Sequence, residues 1–381
     1  MTTWPRWSTP TAPGVAVSDP DTHQKGSASL ATPQQHSFYM PFPPVEPNPL
    51  TSRAEAAMWS WIDETGLCPT PADRRRVADA DVPLLISLLY PSADADTLSM
   101  LGCYYAFIFV NDDLFDENIS NTGPQRCYEE LRHVIGVLDG EPAENPVAKA
   151  LADVWRWACE RQGPSWQESF RTHTRDAIWC YYTSAVNRHS RRLPHLEQYL
   201  EFRRDDIGGL PFLDMCEPAT GTDLPGMVRR LSSHTELTHA AADWIGLCND
   251  FHSLRKEREG GYHSDVFAVL QTHEGLSLPD AVVRADALMT RCIERMQSAS
   301  EQLLAQVETL ALPAEVQADT EACVRAYQDT VVGFLLYHPQ APRFADPEPA
   351  GTHGRAVSDL FRPPAGPAPS TTTRPADDSP S

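Results

Sequence analysis

Four carboxylates fall within six positions: Asp112, Asp113, Asp116 and Glu117. They follow directly on the mostly apolar run 103–110, and no Gly or Pro breaks the chain before Gly123. If the stretch is one helix, Asp112 and Asp116 share a face at i, i+4, and Asp113 and Glu117 share the next. Like charges at that spacing repel, and the more so where water is excluded. The helix dipole also disfavours carboxylates at a C-terminal end. Such a cluster asks for cations, either a bound metal or the counter-ions of a solvated helix end. The spacing alone leaves both readings open.

A second oxygen-rich face changes the balance. Asn249, Ser253 and Glu257 recur at i, i+4, i+8. At about 100° per residue they drift only about 80° around a helix, over about 12 Å of its axis. They offer an amide carbonyl, a hydroxyl and a carboxylate. Oxygen-only ligands suit a hard divalent cation, Mg²⁺ ahead of Zn²⁺. Mg²⁺ keeps positions for water and phosphate oxygens, so a diphosphate usually completes such a site. Lys256, beside Glu257, can reach a phosphate. An exposed polar face is the alternative for this triplet by itself. Two oxygen-rich helix ends in one helical domain favour a shared metal site.

These residues also carry a resemblance. Asp112-Asp113-x-x-Asp116-Glu117 resembles the aspartate-rich motif of class I terpene synthases. Asn249-Asp250-x-x-Ser253-x-x-Lys256-Glu257 is similar to their second metal motif. The order and separation of the pair match the microbial members. Arg203 falls where this family keeps a diphosphate-sensing Arg, with Asp206 as the linker residue. Ile207 then takes the effector position, where Gly or another small residue is common. Arg343-Phe344 stands where the family has an Arg-Tyr pair, so the guanidinium is kept and the phenol is absent. The resemblance covers roughly residues 38–344.

What the resemblance implies is an all-α, single-domain class I terpenoid synthase, a helical bundle around a central active-site cavity. Its activity is a Mg²⁺-dependent carbon–oxygen lyase reaction, with three ions gathered round an isoprenyl diphosphate. The implied metal ligands are Asp112, Asn249, Ser253 and Glu257, with Asp113, Asp116 and Glu117 as weaker candidates. Arg203, Lys256 and Arg343 are the implied diphosphate binders, and Asp206 and Ile207 complete the set with Arg203. Departure of the diphosphate leaves an allylic cation, which aromatic faces stabilise without attacking it. Phe109, one turn before Asp112, is the first such candidate. Phe107, Trp179, Tyr181, Phe212, Trp244 and Tyr337 are further pocket-lining candidates, although most buried aromatics simply pack. Farnesyl diphosphate is the expected substrate, with geranyl and geranylgeranyl diphosphate open. A chain-elongating prenyltransferase is a rival, but that family usually shows a second Asp-rich motif. A non-catalytic helical binding protein with solvated acidic clusters is the rival from another class.

The segments that must position these residues read as helices. Residues 54–65, after Thr51-Ser52 as N-cap pair, carry Met58, Trp59, Trp61 and Ile62 and stop at Gly66. Residues 71–79 and 82–89 follow, and Ser92 is placed to cap a helix from 94 to about 117. Helical periods continue over 125–138, 146–161, 165–189 and 196–207. The last breaks at Gly208-Gly209, before the short apolar piece 210–216 and a loop over 217–225. A long helix over 234–259 encloses a lone Gly246, and 264–273, 278–310 and 313–336 complete the set. No strand alternation is evident, and the expected class is all-α. Residues 1–37 and 345–381 are rich in Pro, Ser and Thr and are expected to be disordered extensions. Residues 38–44 read as an aromatic strap docked on the domain.

The net charge of −21 argues against nucleic acid or an anionic membrane surface as partner. Nine scattered cysteines without a Cys-x-x-Cys pair point to a reducing compartment. With no signal-peptide pattern and no run long enough to span a bilayer, the expectation is a cytoplasmic protein without membrane insertion. A homodimer remains open.

Overall fold

The computed structural model describes residues 37–115, 123–254 and 264–345, with only the backbone for 255–259 and 345. The expected extensions therefore lie outside the described residues, apart from Ser37 and the backbone of Ala345. Asp116, Glu117 and the side chains of Lys256 and Glu257 lie outside them too. The described elements are helices, with no strand among them.

The chain enters as an extended strap whose Phe38, Met40 and Phe42 pack on the core. Phe38 meets Phe251 edge-on at 5.0 Å. Asn48 pins the strap: its amide donates to the carbonyls of Tyr90 and Ala93 at 3.1 and 2.8 Å. Helix α1 (Thr51–Thr65) then starts one residue before the expected cap pair ends. Thr51 cannot cap it, because its hydroxyl donates back to the Asn48 carbonyl. Gly66, at φ 69°, ends it in the left-handed region that a Cβ disfavours.

Helix α2 (Pro71–Asp79) opens on a Thr70/Asp73 capping box. Helix α3 (Val82–Leu89) is apolar on nearly every side and is buried accordingly. Helix α4 (Ala95–Leu114) is capped by Asp94, whose carboxylate accepts from Thr97 N at 2.8 Å. The expected cap, Ser92, stands two residues too early for that bond. Helix α5 (Pro124–Gly136) tightens into a 3₁₀ turn at Val137–Asp139, and α6 is Pro146–Arg161. Helix α7 (Pro164–Ser190) is followed by α8 (Leu196–Asp206), α9 (Gly209–Asp214) and α10 (Cys216–Thr220). Part of the expected loop over 217–225 is thus helical, because Glu217 is buried and its carboxylate takes Leu224 N and Arg229.

A single turn, α11 (Gly226–Arg229), precedes α12 (Ser232–Glu259), the 28-residue helix at the centre of the packing. Helices α13 (Val266–His273), α14 (Leu278–Thr309), α15 (Ala314–Tyr337) and the short α16 (Pro342–Ala345) complete the chain. Helix α12 packs along α14 and against α8, α9 and α15, while α4 packs on α1, α3 and α6. Charged groups fix that arrangement as well as apolar ones. The buried carboxylate of Asp243, on α12, receives Arg204 of α8 at 2.8 Å and Arg295 of α14 at 2.9 Å. None of the nine cysteines is in a disulfide. No helix among the described residues is long and apolar enough to cross a membrane.

Candidate active site

The end of α4 is held by an arginine from the far end of the chain. Arg343 Nη2 lies 3.0 Å from Asp112 Oδ2 and 2.9 Å from Asp113 Oδ1. Burial disfavours the guanidinium charge, but Asp113 and Asp112 outweigh it and keep Arg343 firmly protonated. The same guanidinium lies over the ring of Phe109, 5.2 Å from its centroid. That is cation–π distance, and it places the half-buried Phe109 beside the acidic pair.

On α12 the corresponding holder is Arg203, from the last turn of α8. Its Nη1 donates to Asp206 Oδ2 at 2.6 Å, its Nη2 to Asn249 Oδ1 at 2.8 Å, and its Nε to Asp250 Oδ1 at 3.0 Å. All three nitrogens are thus directed, and one guanidinium joins two helices. The reason for the lone Gly246 inside α12 is now visible. A Cβ there would stand 3.0 Å from Arg203 Cγ, so the glycine gives the arginine its path across the helix.

Asp250, the second residue of the Asn249 motif, supports the site from behind. It points about 100° away from Asn249 around the helix and is buried. Tyr199 donates to its Oδ2, and so does Val266 N at 3.0 Å, at the start of α13. Burial pushes its pKa up, while Arg203 and Tyr199 pull it back down. Asp250 therefore locks Arg203 from behind and ties α12 to α13. The adjacency to Asn249 was readable in the sequence; the partners, Tyr199 and Val266, were not.

The helix break between α8 and α9 lies beside this network. Ile207 ends α8 in the right-handed region and Gly208 follows at φ 70°. Four residues past Ile207 stands Pro211, which has no N–H. The Ile207 carbonyl therefore has no donor at the usual helical position, at a C-terminus where the helix dipole is negative. Below the break, Phe212 stacks on Tyr105 at 4.8 Å and leans on Phe334 at 5.9 Å.

The other aromatic candidates divide by position. Tyr181 stacks on Phe115 at the acidic end of α4, with centroids 5.1 Å apart. Trp179 lies on the other face of α7, stacked at 5.5 Å on the exposed Tyr128 of α5. Trp244 sits about 140° around α12 from Asn249 and meets Phe38 of the strap edge-on at 6.5 Å. Tyr337 is buried and donates to the Ala80 carbonyl, a strut between α15 and the α2–α3 corner. Phe107 is wholly buried in the core. Phe344, where the resemblance implied a phenol, packs on His338 at 4.7 Å and on Tyr337 at 5.9 Å.

One segment spans both holders. Residues 338–344 bring Arg343 to Asp112 at one end and His338 to Asn249 at the other, with Asn249 Nδ2 and His338 Nε2 3.4 Å apart. The described donors, a carboxylate from Asp112, an amide carbonyl from Asn249 and the Ser253 hydroxyl one turn on, are all oxygen. That set fits a hard divalent cation.

A family model described as "Terpene synthase family 2, C-terminal metal binding" matches residues 103–295. A (2Z,6E)-hedycaryol synthase from Kitasatospora setae is 33% identical over 318 residues, 81% of this chain and 91% of that protein. A (-)-beta-caryophyllene synthase from Saccharothrix espanaensis, named as (2E,6E)-farnesyl diphosphate cyclizing, is 25% identical and covers 87% of this chain and 95% of its own. The solved structure of a hedycaryol synthase in complex with HEPES superposes with a TM-score of 0.71 at 29% identity, covering 80% of this chain and 97% of that one.

Proposed function

The chain belongs to terpene synthase family 2 and is a class I terpene synthase, and from that premise we propose that it ionises and cyclises farnesyl diphosphate. The catalytic domain spans about residues 38–344. The relatives' names support the fifteen-carbon substrate: the caryophyllene synthase carries farnesyl diphosphate in its own. The observation that carries the site assignment is the pair of arginine-held oxygen clusters, Arg343 on Asp112 and Arg203 on Asn249, joined by one C-terminal segment.

The family binds a divalent metal, and the oxygen donors favour Mg²⁺, three ions with the substrate in place. Asp112, Asn249 and Ser253 would hold them, with Glu257 as the expected fourth ligand. When bound, the metal neutralises the diphosphate and makes it a leaving group. The protein's own groups do the rest. Arg203 and Arg343 supply directed N–H donors for diphosphate oxygens, as guanidinium groups do well. Lys256 is placed in sequence to add an ammonium. Arg203, whose Nη2 is held by Asn249 and whose Nη1 is held by Asp206, would sense the diphosphate and pass any shift through Asp206 to the helix break at Ile207. The Ile207 carbonyl then offers a fixed partial negative charge to the allylic cation. This role belongs to the backbone, so it tolerates an isoleucine side chain. Phe109, with Arg343 over one face of its ring, would offer the other face to the allylic cation. The final proton can leave to the released diphosphate, so no dedicated base is needed. The setting is cytoplasmic, with no nucleic-acid partner.

Parallel incubations with C10, C15 and C20 isoprenyl diphosphates, with Mg²⁺ and with EDTA, test this by gas chromatography–mass spectrometry. A Mg²⁺-dependent cyclic C15 product is expected. Turnover of another chain length alone would replace the substrate. A longer diphosphate formed only with added isopentenyl diphosphate would point to chain elongation instead.

A further inference from the structure

We propose that His338 is a positioning residue: together with Arg203 it fixes which end of the Asn249 amide faces the metal. The inference rests on the reading of Asn249 as a metal ligand and deepens it. An asparagine binds a cation only through its carbonyl oxygen. Its amide can turn by 180° and present N–H groups, which repel a cation, in the same space. Something must hold it the right way round.

The hydrogen bonds around Asn249 form one directed chain. Arginine only donates, so the end of the amide facing Arg203 Nη2 at 2.8 Å is the oxygen. The other end, Nδ2, faces His338 Nε2 at 3.4 Å. His338 Nδ1 lies 2.7 Å from the carbonyl oxygen of Phe334, and a carbonyl only accepts. Nδ1 therefore carries the proton, and Nε2 of the neutral ring is an acceptor. The acceptor thus meets the amide N–H, and the order of donors and acceptors is consistent from the Phe334 carbonyl to Arg203. The imidazole itself has little freedom. It is buried between His252, stacked at 4.6 Å, and Phe344 at 4.7 Å. Phe344, the departure from the family's phenol, is thereby one wall of the slot that holds His338.

A competing use of the same residues is a soft-metal site. Cys248, His252 and His338 hold ligand atoms within 4.8 Å of one another. The nitrogens nearest the sulfur are the two Nδ1 atoms, at 3.8 and 3.9 Å. Both are already donors, His252 to the Cys248 carbonyl at 2.8 Å and His338 to that of Phe334. Neither has a lone pair left to offer beside the thiol, so the geometry favours the positioning role.

The test measures Mg²⁺ binding directly, as the rise in melting temperature of the full chain when Mg²⁺ is titrated in with inorganic diphosphate. His338→Phe keeps the ring packing and removes the acceptor. His338→Asn puts a polar atom near the old Nδ1 but cannot reach Asn249. His338→Gln returns an acceptor close to the old Nε2. The first two should raise the half-saturating Mg²⁺ concentration about tenfold or more, as lost support of a metal ligand typically does, and Gln should recover most of it. In an Asn249→Asp background, where both ends of the side chain are oxygens, His338→Phe should add no further shift. Unchanged Mg²⁺ binding in both His338→Phe and His338→Asn overturns the proposal, and so does an equal loss in the Asn249→Asp background. If the unaltered protein shows no Mg²⁺-dependent rise at all, the metal reading of Asn249 falls with it. Stabilisation by Zn²⁺ alone, lost in Cys248→Ala, would establish the soft-metal trio and overturn the tautomer on which the proposal stands.

Discussion

The two oxygen clusters are built on one plan and anchored differently. Each has a guanidinium from another part of the chain lying across it. At α4 the holder is Arg343, on the short α16, and both its bonds come from a single terminal nitrogen to carboxylates 37% and 13% exposed. At α12 the holder is Arg203, which uses all three nitrogens and is backed by Asp250, itself 1% exposed and bonded to Tyr199 and Val266 N. One cluster can exchange a partner for a substrate oxygen at little cost. The other can change only if a buried network changes with it. Under the proposed function, this difference suits the α12 side to sensing the diphosphate and the α4 side to capturing it.

The largest effects should come from the ligands themselves. Asp112→Ala and Asn249→Ala are expected to lower turnover by at least about 10³-fold, the effect of removing about 4 kcal/mol of transition-state stabilisation. Both should leave the melting temperature within a few degrees, because each side chain makes its contacts at the site and carries no core packing. Full activity in either, by diphosphate-release assay, would remove that residue from the metal site.

The next pair separates the two anchors. Arg203→Ala strands a buried carboxylate and should cost about 3–5 kcal/mol of stability in a denaturant titration. Arg343→Ala leaves Asp112 within reach of water and takes one partner from Asp113, 13% exposed, and should cost about 1–3 kcal/mol. Equal losses would mean that the two clusters are equally rigid.

Acid should also act on two buried imidazoles packed at α12. His234, on α12, has its pKa pushed down to about 4, first by burial and then by Arg229. His338 is pushed down to about 3, by burial and by His252. Both must gain a proton on unfolding wherever pH lies below the ordinary value of about 6.5. Their contribution is therefore complete above about pH 6.5 and is lost as pH falls through about 4 and about 3. Each is worth at most about 1.4 kcal/mol per pH unit in that window. The imidazole signals of His234 and His338 should keep their neutral positions in NMR spectra between pH 7 and pH 5, and protonation of either ring in that range would show that water reaches it in the fold. The smallest effect is expected from Phe344→Tyr. A hydroxyl on that ring adds a donor beside the diphosphate site and should change kcat by less than about threefold; severe loss would show that Phe344 has no room to spare against His338.

How much of this was legible follows from where each signal resides. Ligand spacing at i, i+4 is local, so Asn249, Ser253 and the α4 carboxylates could be read directly from the chain. The helix termini were nearly right because capping is local too; Asp94 displaced Ser92 only because the carboxylate stands three residues before Thr97 N. Gly246 was visible as an oddity, and only the crossing of Arg203 explains it. The supports were not legible. Tyr199, Val266 and His338 reach Asp250 and Asn249 through tertiary packing, and no helical period connects them. The aromatic candidates failed to separate for the same reason: Trp179 and Tyr181 look alike in sequence and lie on opposite faces of α7.

The most direct test of the metal assignment is anomalous scattering from crystals soaked in Mn²⁺ with inorganic diphosphate. The account predicts peaks beside Asp112 and beside Asn249 and Ser253, with diphosphate oxygens between them and Arg203 and Arg343 turned onto the anion. Peaks at Cys248, His252 and His338, or diphosphate bound with no metal at either cluster, would contradict it.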